Sequence, residues 1–317
     1  MTTLLVASTG GHLKQLHRLH GRLVGVRGPF RWVTFDTPQS RSLLQGETVE
    51  FVRFVGGRDP CNLLSNVPAA TRLTGDAEVR AIVSTGSSMA LPFFTLARAR
   101  RLRCHYIESA ARGDGPSVTG RLMSLIPGVC LYSQYPGWAA GRWHYRGSVF
   151  DSFAAATVPA EAPRRLARVV ATLGTFRGYG FERLVRRLLE VLPADAEVLW
   201  QTGDTDTSGL GIDGHHAIPE RELTDAMREA DVVISHAGVG TALAALEVGK
   251  CPVLVPRRLA HGEHVDDHQT QIAQELARRE LSVSVEADVL TRDDLLAAAG
   301  RSVTTLTEEP PFRTCDA

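Results

Sequence analysis

Hydrophobic positions along the chain follow two spacings that alternate. Short runs rich in β-branched residues predict strands, and segments with apolar residues three or four positions apart, such as Leu13, Leu16 and Leu19, predict helices. The strands predicted in the first half of the chain are residues 3–8, 31–35, 50–54, 80–84, 104–107 and 129–132. This alternation predicts a parallel sheet with helices on both faces.

The pattern lapses at residues 151–166, where SFAAATVPAEAPRRL has two prolines and no hydrophobic period. Such a segment is typical of a linker between domains. The alternation then resumes, with predicted strands at residues 168–173, 197–201, 232–235, 252–256 and 281–285. We therefore predict an α/β protein of two doubly wound, Rossmann-like domains facing a cleft, at residues 1–150 and 167–317. A chain of 317 residues is long enough for two cores.

Composition narrows the class of protein. Lys plus Arg (35) equal Asp plus Glu (35), so no net charge attracts the whole chain to nucleic acid. The five cysteines are scattered without a C-x-x-C pair, which argues against a disulfide framework or a thiolate metal site and favours a cytoplasmic protein. No apolar run approaches the ~20 residues of a membrane-spanning helix. We expect no nucleic-acid partner, and contact with a membrane only at its surface.

Four glycine-bearing loops follow predicted strands, where doubly wound sheets bind their ligands. They are STGGH at residues 8–12, STGSS at 84–88, LGTF at 173–176 and HAGVGT at 236–241. Glycines let a backbone approach a ligand, and amides at the start of a helix suit a phosphate group. Each loop could also be a tight turn that binds nothing.

The stretch HGEHVDDHQ, residues 261–269, has three interpretations. His264 and His268 are four residues apart and, with Asp267, could bind a divalent metal. The stretch could instead be an inert polar loop. In the third interpretation Asp266 or Asp267 is a helix N-cap, and the histidines and Gln269 contact a ligand.

Several of these segments resemble glycosyltransferase family 28. The C-terminal domain of that family, as in the MurG-like enzymes and the catalytic subunit of the dolichol-pathway N-acetylglucosaminyltransferase, resembles LGTF, ISHAGVGT at 234–241, GKCPVLVPR at 249–257 and DDHQTQIAQEL at 266–276. The partner subunit of that enzyme resembles STGGH, STGSS and YIESAAR at 106–112. The chain looks like a natural fusion of the two subunits, akin to bacterial polysaccharide glycosyltransferases, and the resemblance implies the GT-B fold.

The resemblance also implies roles for residues. Inversion at the anomeric carbon needs a base, and His12 or Glu108 would supply it. The acceptor would be bound by Gly10, Gly11, Ser87 and Arg112. The UDP-sugar donor would be bound by Thr175, Gln201, His236, Gly238, Gly240, Thr241, Glu247, Arg257, His264, Asp267, His268 and Gln269. Because enzymes of this fold neutralise the leaving diphosphate with helix dipoles and side chains, we expect no cofactor and no metal.

Two positions depart from the family pattern. Ala244 stands where the family usually has a ribose-binding glutamate, and Glu247, one turn further along, could substitute for it. Ile107 stands where the MurG-like pattern has a histidine. Details of acceptor binding therefore do not carry over from the MurG-like enzymes.

The sequence thus predicts an inverting, metal-independent glycosyltransferase. It would move N-acetylglucosamine or another hexose from a UDP-sugar to a lipid-linked or polysaccharide-precursor acceptor, at the inner face of the plasma membrane. The alternatives are a tailoring glycosyltransferase on a small natural product, a UDP-sugar 2-epimerase of the same fold, and a non-catalytic UDP-sugar-binding partner. The sugar, the acceptor and the oligomeric state stay open.

Overall fold

The computed structural model describes residues 1–56, 64–156, 165–175 and 178–315. They form two compact units. The first contains Met1–Asp151 together with the C-terminal segment from Glu309, and the second contains Ser152–Glu308. In the part of the chain that is described, no helix has the length and apolar character needed to cross a bilayer.

The first unit is built on a wholly parallel sheet of seven strands. The strands are β1 (Thr2–Val6), β3 (Phe30–Phe35), β4 (Val49–Val52), β5 (Val79–Ser84), β6 (Arg103–Ile107), β7 (Val129–Ser133) and β8 (Trp143–Tyr145). Their order in space is β4-β3-β1-β5-β6-β7-β8. A separate parallel pair joins β2 (Leu23–Val24) to β17 (Phe312–Arg313).

Helices bury apolar side chains against this sheet. They are α1 (Gly11–His20), α2 (Pro38–Leu43), α3 (Val67–Thr74), α4 (Ala90–Ala99) and α5 (Val118–Ser124). Every residue of the central strand β1 is buried, as expected where helices cover both faces of a parallel sheet. Phe93 and Phe94 of α4 are fully buried in the same core, so α4 is a core helix.

The second unit has a parallel sheet of six strands. The strands are β10 (Arg168–Thr172), β11 (Glu197–Gln201), β12 (Gly214–His215), β13 (Val232–His236), β14 (Val253–Val255) and β15 (Val283–Ser284), in the order β12-β11-β10-β13-β14-β15. The helices are α6 (Glu182–Val191), α7 (Glu220–Glu229), α8 (Val239–Glu247), α9 (His268–Arg278) and α10 (Arg292–Ala299). An antiparallel pair joins β9 (Phe153–Ala155) to β16 (Val303–Thr305).

The predicted strands agree with the observed ones to within about two residues at each end. The short strands β2, β8, β9, β12, β16 and β17 were not predicted, because two or three residues carry no hydrophobic period.

The domain bounds differ from the predicted ones at the C-terminus. The last segment was expected in the second domain, but β17 pairs with β2, and Arg22 donates a hydrogen bond to the Pro310 carbonyl (2.8 Å). In the predicted linker, residues 157–164 lie outside the described residues, and Phe153–Ala155 forms β9.

Candidate functional site

In the first unit, the candidate residues follow three adjacent strands, β1, β5 and β6. Because these strands are parallel neighbours, the loops that leave them meet at one edge of the sheet. Gly10 precedes α1 with a φ of 85°, and its amide donates to Gln39 Oε1 (2.6 Å). Gly11 and His12 form the first turn of α1. Ser87, half-buried in the loop after β5, has a φ of 77°.

His12 is held by the neighbouring loop. Its Nδ1 lies 2.8 Å from the Thr85 carbonyl oxygen, and Thr85 Oγ1 donates back to the His12 carbonyl (2.7 Å). A carbonyl oxygen only accepts, so the neutral ring carries its proton on Nδ1 and its lone pair on Nε2. The ring also lies against Gly86, where a Cβ would come within 2.9 Å of it. His12 is therefore fixed in the tautomer that a general base needs.

Glu108 is 1 % exposed, and both of its carboxylate oxygens accept hydrogen bonds. Oε1 accepts from the Ser109 amide (3.0 Å), and Oε2 accepts from the amide (3.0 Å) and hydroxyl (3.1 Å) of Ser117. A Cβ on Gly120 would come within 2.0 Å of Oε2. Burial raises the pKa of Glu108, and these hydrogen bonds oppose that effect. The carboxylate thus connects the end of β6 to the start of α5.

Two buried glutamines hold the loop after β6. Gln15 Oε1 accepts from the Ala110 amide (2.8 Å) and from Gln134 Nε2 (3.1 Å), while Gln15 Nε2 donates to Ser109 Oγ (3.1 Å). The same loop contains Arg112, which is half-buried. Sequence reasoning missed both glutamines. The available signal for Gln15 was its place among the buried leucines of α1.

In the second unit, His236 lies at the end of β13 between two glycines. A Cβ on Gly174 would come within 2.5 Å of the imidazole, and one on Gly238 within 2.3 Å. Glycine at both positions lets the loops after β10 and β13 close around the ring. Burial, and then the charge of Arg257, lower the pKa of His236 to about 3, so the ring is neutral at physiological pH.

The start of α8 resembles an anion-binding site. Gly238 occupies the N-cap position and contributes no capping side chain, and Gly240 and Thr241 lie in the first turn. Amides at such a helix start suit a phosphate group. Thr175 is exposed in the loop after β10; Phe176, the last residue of LGTF, lies outside the described residues.

Two of the residues predicted to bind the donor lie in different surroundings. Gln201 is buried, with Oε1 accepting from the Ile218 amide (3.0 Å) and Nε2 donating to Thr172 Oγ1 (2.8 Å). Glu247 is exposed at the last position of α8, about 12 Å along the helix axis from its first residue. Ala244 is buried within the helix.

The loop before α9 is fixed by an ion pair that the sequence did not indicate. Glu263 accepts two hydrogen bonds from Arg183 (3.0 Å each) and one from the Arg258 amide (2.9 Å). Asp267 is at the N-cap position of α9, but its Oδ1 accepts from the Leu259 amide (3.0 Å) and does not cap the helix. An open groove of about 510 Å³ lies along this loop and the loop after β11.

At the start of α9, Gln269 is 3 % exposed, and its Oε1 accepts from the Arg257 amide (3.0 Å). The His264 ring lies edge-on to that of His268, with centroids 4.7 Å apart, and Asp266 Oδ1 hydrogen-bonds His268 Nδ1. One atom each of His264, Asp266 and His268 lies within 4.8 Å of the others. Within the part of the chain that the structure describes, these three side chains are the group that could hold a metal ion.

Parts of the chain are similar in sequence to known proteins. Residues 178–298 match the glycosyltransferase family 28 C-terminal domain. The chain is also 46 % identical, over 68 residues, to the UDP-N-acetylglucosamine transferase subunit ALG13 of Yarrowia lipolytica. That match covers 21 % of this chain and 33 % of the relative, so the chain spans about a third of that curated protein.

Two solved structures share the fold over nearly the whole chain. MurG of Acinetobacter baumannii is 20 % identical with a TM-score of 0.58, over 94 % of this chain and 89 % of that one. The glycosyltransferase SnogD of Streptomyces nogalater is 18 % identical with a TM-score of 0.56, over 95 % and 92 %. At these identities the likeness concerns the fold, and it confirms the predicted GT-B class. The predicted resemblance is confirmed as well, because residues 178–298 match the glycosyltransferase family 28 C-terminal domain.

Proposed function

We propose that the protein is an inverting, metal-independent glycosyltransferase that moves a sugar from a UDP-sugar to a lipid-linked acceptor. The observation that carries this proposal is the glycine-capped start of α8, packed against His236 inside the family 28 domain. The other donor candidates, including Gln201, Glu247, His264 and Asp267, remain part of the proposal.

The donor's diphosphate would bind at the start of α8, with Thr175 on the adjacent loop. Helix amides favour negative charge there. Since His236 is neutral, it would act as a hydrogen-bonding group and not as a cation. Gln269, at the first turn of α9, would hydrogen-bond the sugar hydroxyls through its Nε2.

His12 would be the general base. The acceptor hydroxyl oxygen attacks the anomeric carbon, its proton moves to His12 Nε2, and the bond to the diphosphate breaks with both electrons going to UDP. The Nδ1 contact with Thr85 supports this role because it leaves the lone pair on Nε2. Glu108 is a weaker candidate, since both of its oxygens are already engaged by Ser109 and Ser117.

A lipid-linked acceptor is supported by the surface of α5. Val118, Leu122 and Leu125 share one helix face and are 74 %, 43 % and 75 % exposed. Arg142 lies at the end of this helix, where it donates to the Ile126 and Val129 carbonyls (3.0 Å each). An exposed apolar stripe beside an arginine suits an anionic lipid surface. Location at the inner face of the plasma membrane stays a prediction.

The proposal is tested first by nucleotide binding. UDP should raise the melting temperature more than ADP or GDP, because it binds the folded state preferentially. With a panel that begins with UDP-N-acetylglucosamine, which the name of the Yarrowia relative suggests, UDP release should require a lipid-diphosphate-linked sugar. Equal shifts from all three nucleotides would contradict the donor assignment, and UDP release without any sugar acceptor would contradict transfer.

The metal-independent part is tested separately. Purified protein should lack stoichiometric zinc or manganese, and transfer should survive excess EDTA. Activity that EDTA abolishes and one metal restores would assign His264, Asp266 and His268 to a required metal site instead.

The proposed contact of α5 with lipid is tested with separate variants. Leu122→Asp with Leu125→Asp should reduce flotation with vesicles containing anionic lipid and leave UDP affinity unchanged. Leu189→Asp, at an exposed position of α6, is the matched control. Equal flotation of the double variant and the Leu189→Asp control would show that α5 is not the lipid-binding surface.

A further inference from the structure

Arg257 is a buried cation whose charge is not neutralised nearby. The residue follows β14 and is 1 % exposed. Nη2 donates to the Leu173 carbonyl (2.5 Å), and the guanidinium lies 5.8 Å from the centre of the Phe181 ring. Nε and Nη1 are enclosed, and neither has a hydrogen-bond partner among the described residues. Burying a charge in this way is costly unless something compensates it.

The acidic groups closest to Arg257 do not form ion pairs with it. Glu263 and Asp204 act on its charge only at longer range. Glu263 is already engaged by both nitrogens of the Arg183 fork and by the Arg258 amide. Burial lowers the pKa of Arg257 to about 10, so the guanidinium remains charged at neutral pH.

The position of this charge relates it to the donor site. Leu173, which accepts the Nη2 hydrogen bond, begins the loop that contains Gly174 and Thr175. The same guanidinium is close enough to His236 to disfavour protonation of that ring. His236 in turn packs on Gly174 and Gly238. Arg257 therefore lies beneath both loops to which the donor diphosphate was assigned.

We propose that Arg257 is a positioning residue that keeps a permanent positive charge beneath these two loops and so makes the site selective for a nucleoside diphosphate. This inference rests on the proposed function and deepens it. The resemblance implies that Arg257 binds the donor directly; because the guanidinium is enclosed, it acts instead through the Leu173–Thr175 backbone and through its field, without touching the donor. When the bond to the anomeric carbon breaks, the leaving diphosphate gains negative charge, which a fixed cation stabilises without a metal.

The experiment measures dissociation constants for UDP, UMP and uridine by titration calorimetry. The proteins are the wild type, Arg257→Met, Arg257→Lys and the matched control Arg258→Met. Arg258 is the adjacent arginine, but its side chain is 33 % exposed. In Arg257→Met, UDP affinity should fall roughly tenfold or more, UMP affinity less, and uridine affinity should stay within about twofold. Arg257→Lys should recover most of the loss, and Arg258→Met should match the wild type.

A structural tether would behave differently. If Arg257 only held the Leu173 loop, Arg257→Met would weaken all three ligands by the same factor, and Arg257→Lys would not restore the preference for UDP. That result would overturn the inference and leave the proposed function standing. A wild-type protein that binds UDP no better than uridine would overturn both.

Stability without ligand gives a second readout. Removing an uncompensated buried charge should leave the melting temperature of Arg257→Met at or above the wild-type value, while the gain on adding UDP becomes smaller. A lower melting temperature in both Arg257 variants, with the UDP gain unchanged, would contradict the inference.

Discussion

Glu108 and Arg257 are buried ions at the strand ends that carry the candidate sites of the two units, but their surroundings differ. Glu108 in the first unit and Arg257 in the second are both 1 % exposed. The Glu108 oxygens accept from Ser109 and Ser117, whereas two of the three Arg257 nitrogens have no hydrogen-bond partner among the described residues. The hydrogen bonds to Glu108 offset part of the cost of burying its charge, whereas the cost of burying the Arg257 charge has no such offset until a ligand compensates it.

His12 in the first unit and His236 in the second also have contrasting surroundings. His12 is locked by the Thr85 carbonyl into a tautomer with its lone pair on Nε2, which suits a proton acceptor. His236 lies beside a buried cation and stays neutral. In the proposed function, the first unit would therefore serve proton transfer on a preformed scaffold, and the second would bind an anion. The predictions below test this division.

The largest expected effect is that of His12→Ala on turnover. A general base contributes roughly 10²- to 10⁴-fold to rate and little to the binding of donor, so kcat should fall by that factor while UDP affinity stays unchanged. His144→Ala, an exposed histidine of the same unit, is the control. Weakened UDP binding in His12→Ala would contradict the assignment of proton transfer to the first unit and donor binding to the second.

Glu108→Gln should affect stability before catalysis. An amide offers one acceptor oxygen, so a backbone amide of Ser109 or Ser117 loses its partner, and the free energy of unfolding in urea should fall by about 1–3 kcal/mol. Turnover at a temperature where the variant is folded should stay within several-fold of the wild type. The exposed Glu78→Gln is the control. A folded Glu108→Gln without turnover would make Glu108 the base.

Much of the fold was predictable because it depends on local patterns. The strand at residues 197–201 was predicted at its observed bounds, since its apolar run lies between clear breaks. The burial of Glu108 was not predictable, because Ser117 approaches it only once α5 is placed. Arg257 and Arg258 are adjacent and look alike in the sequence, yet one is enclosed and the other contacts Thr270 on α9. Which arginine is isolated depends on tertiary packing alone.

The pH dependence of stability should report the neutral His236. Its pKa in the folded protein, about 3, is below the ordinary 6.5, so the unfolded chain takes up a proton first as the pH falls. The stabilisation is complete above about pH 6.5 and is lost as the pH falls towards 3. Between pH 7.5 and 5 this single group should cost the wild type up to about 2 kcal/mol.

His236→Asn removes that contribution, so its free energy of unfolding should fall less than that of the wild type over the same interval. The exposed His215→Asn should keep the wild-type slope. Parallel pH profiles for His236→Asn and wild type would mean that the ring titrates normally and that Arg257 does not influence it.

The smallest expected effect is that of Gln269→Ala, which distinguishes recognition of the sugar from recognition of the diphosphate. Gln269→Ala should weaken UDP-sugar binding by about 1 kcal/mol, or several-fold, because it removes one polar contact to the sugar. It also leaves the Arg257 amide without its acceptor, so Gln269→Glu is the matched variant: it keeps an oxygen for that amide and lacks the Nε2 donor. In calorimetry both variants should lose affinity for the UDP-sugar and keep wild-type affinity for UDP. If Gln269→Glu binds the UDP-sugar normally while Gln269→Ala does not, Gln269 supports the Arg257 backbone and the sugar is recognised by another residue.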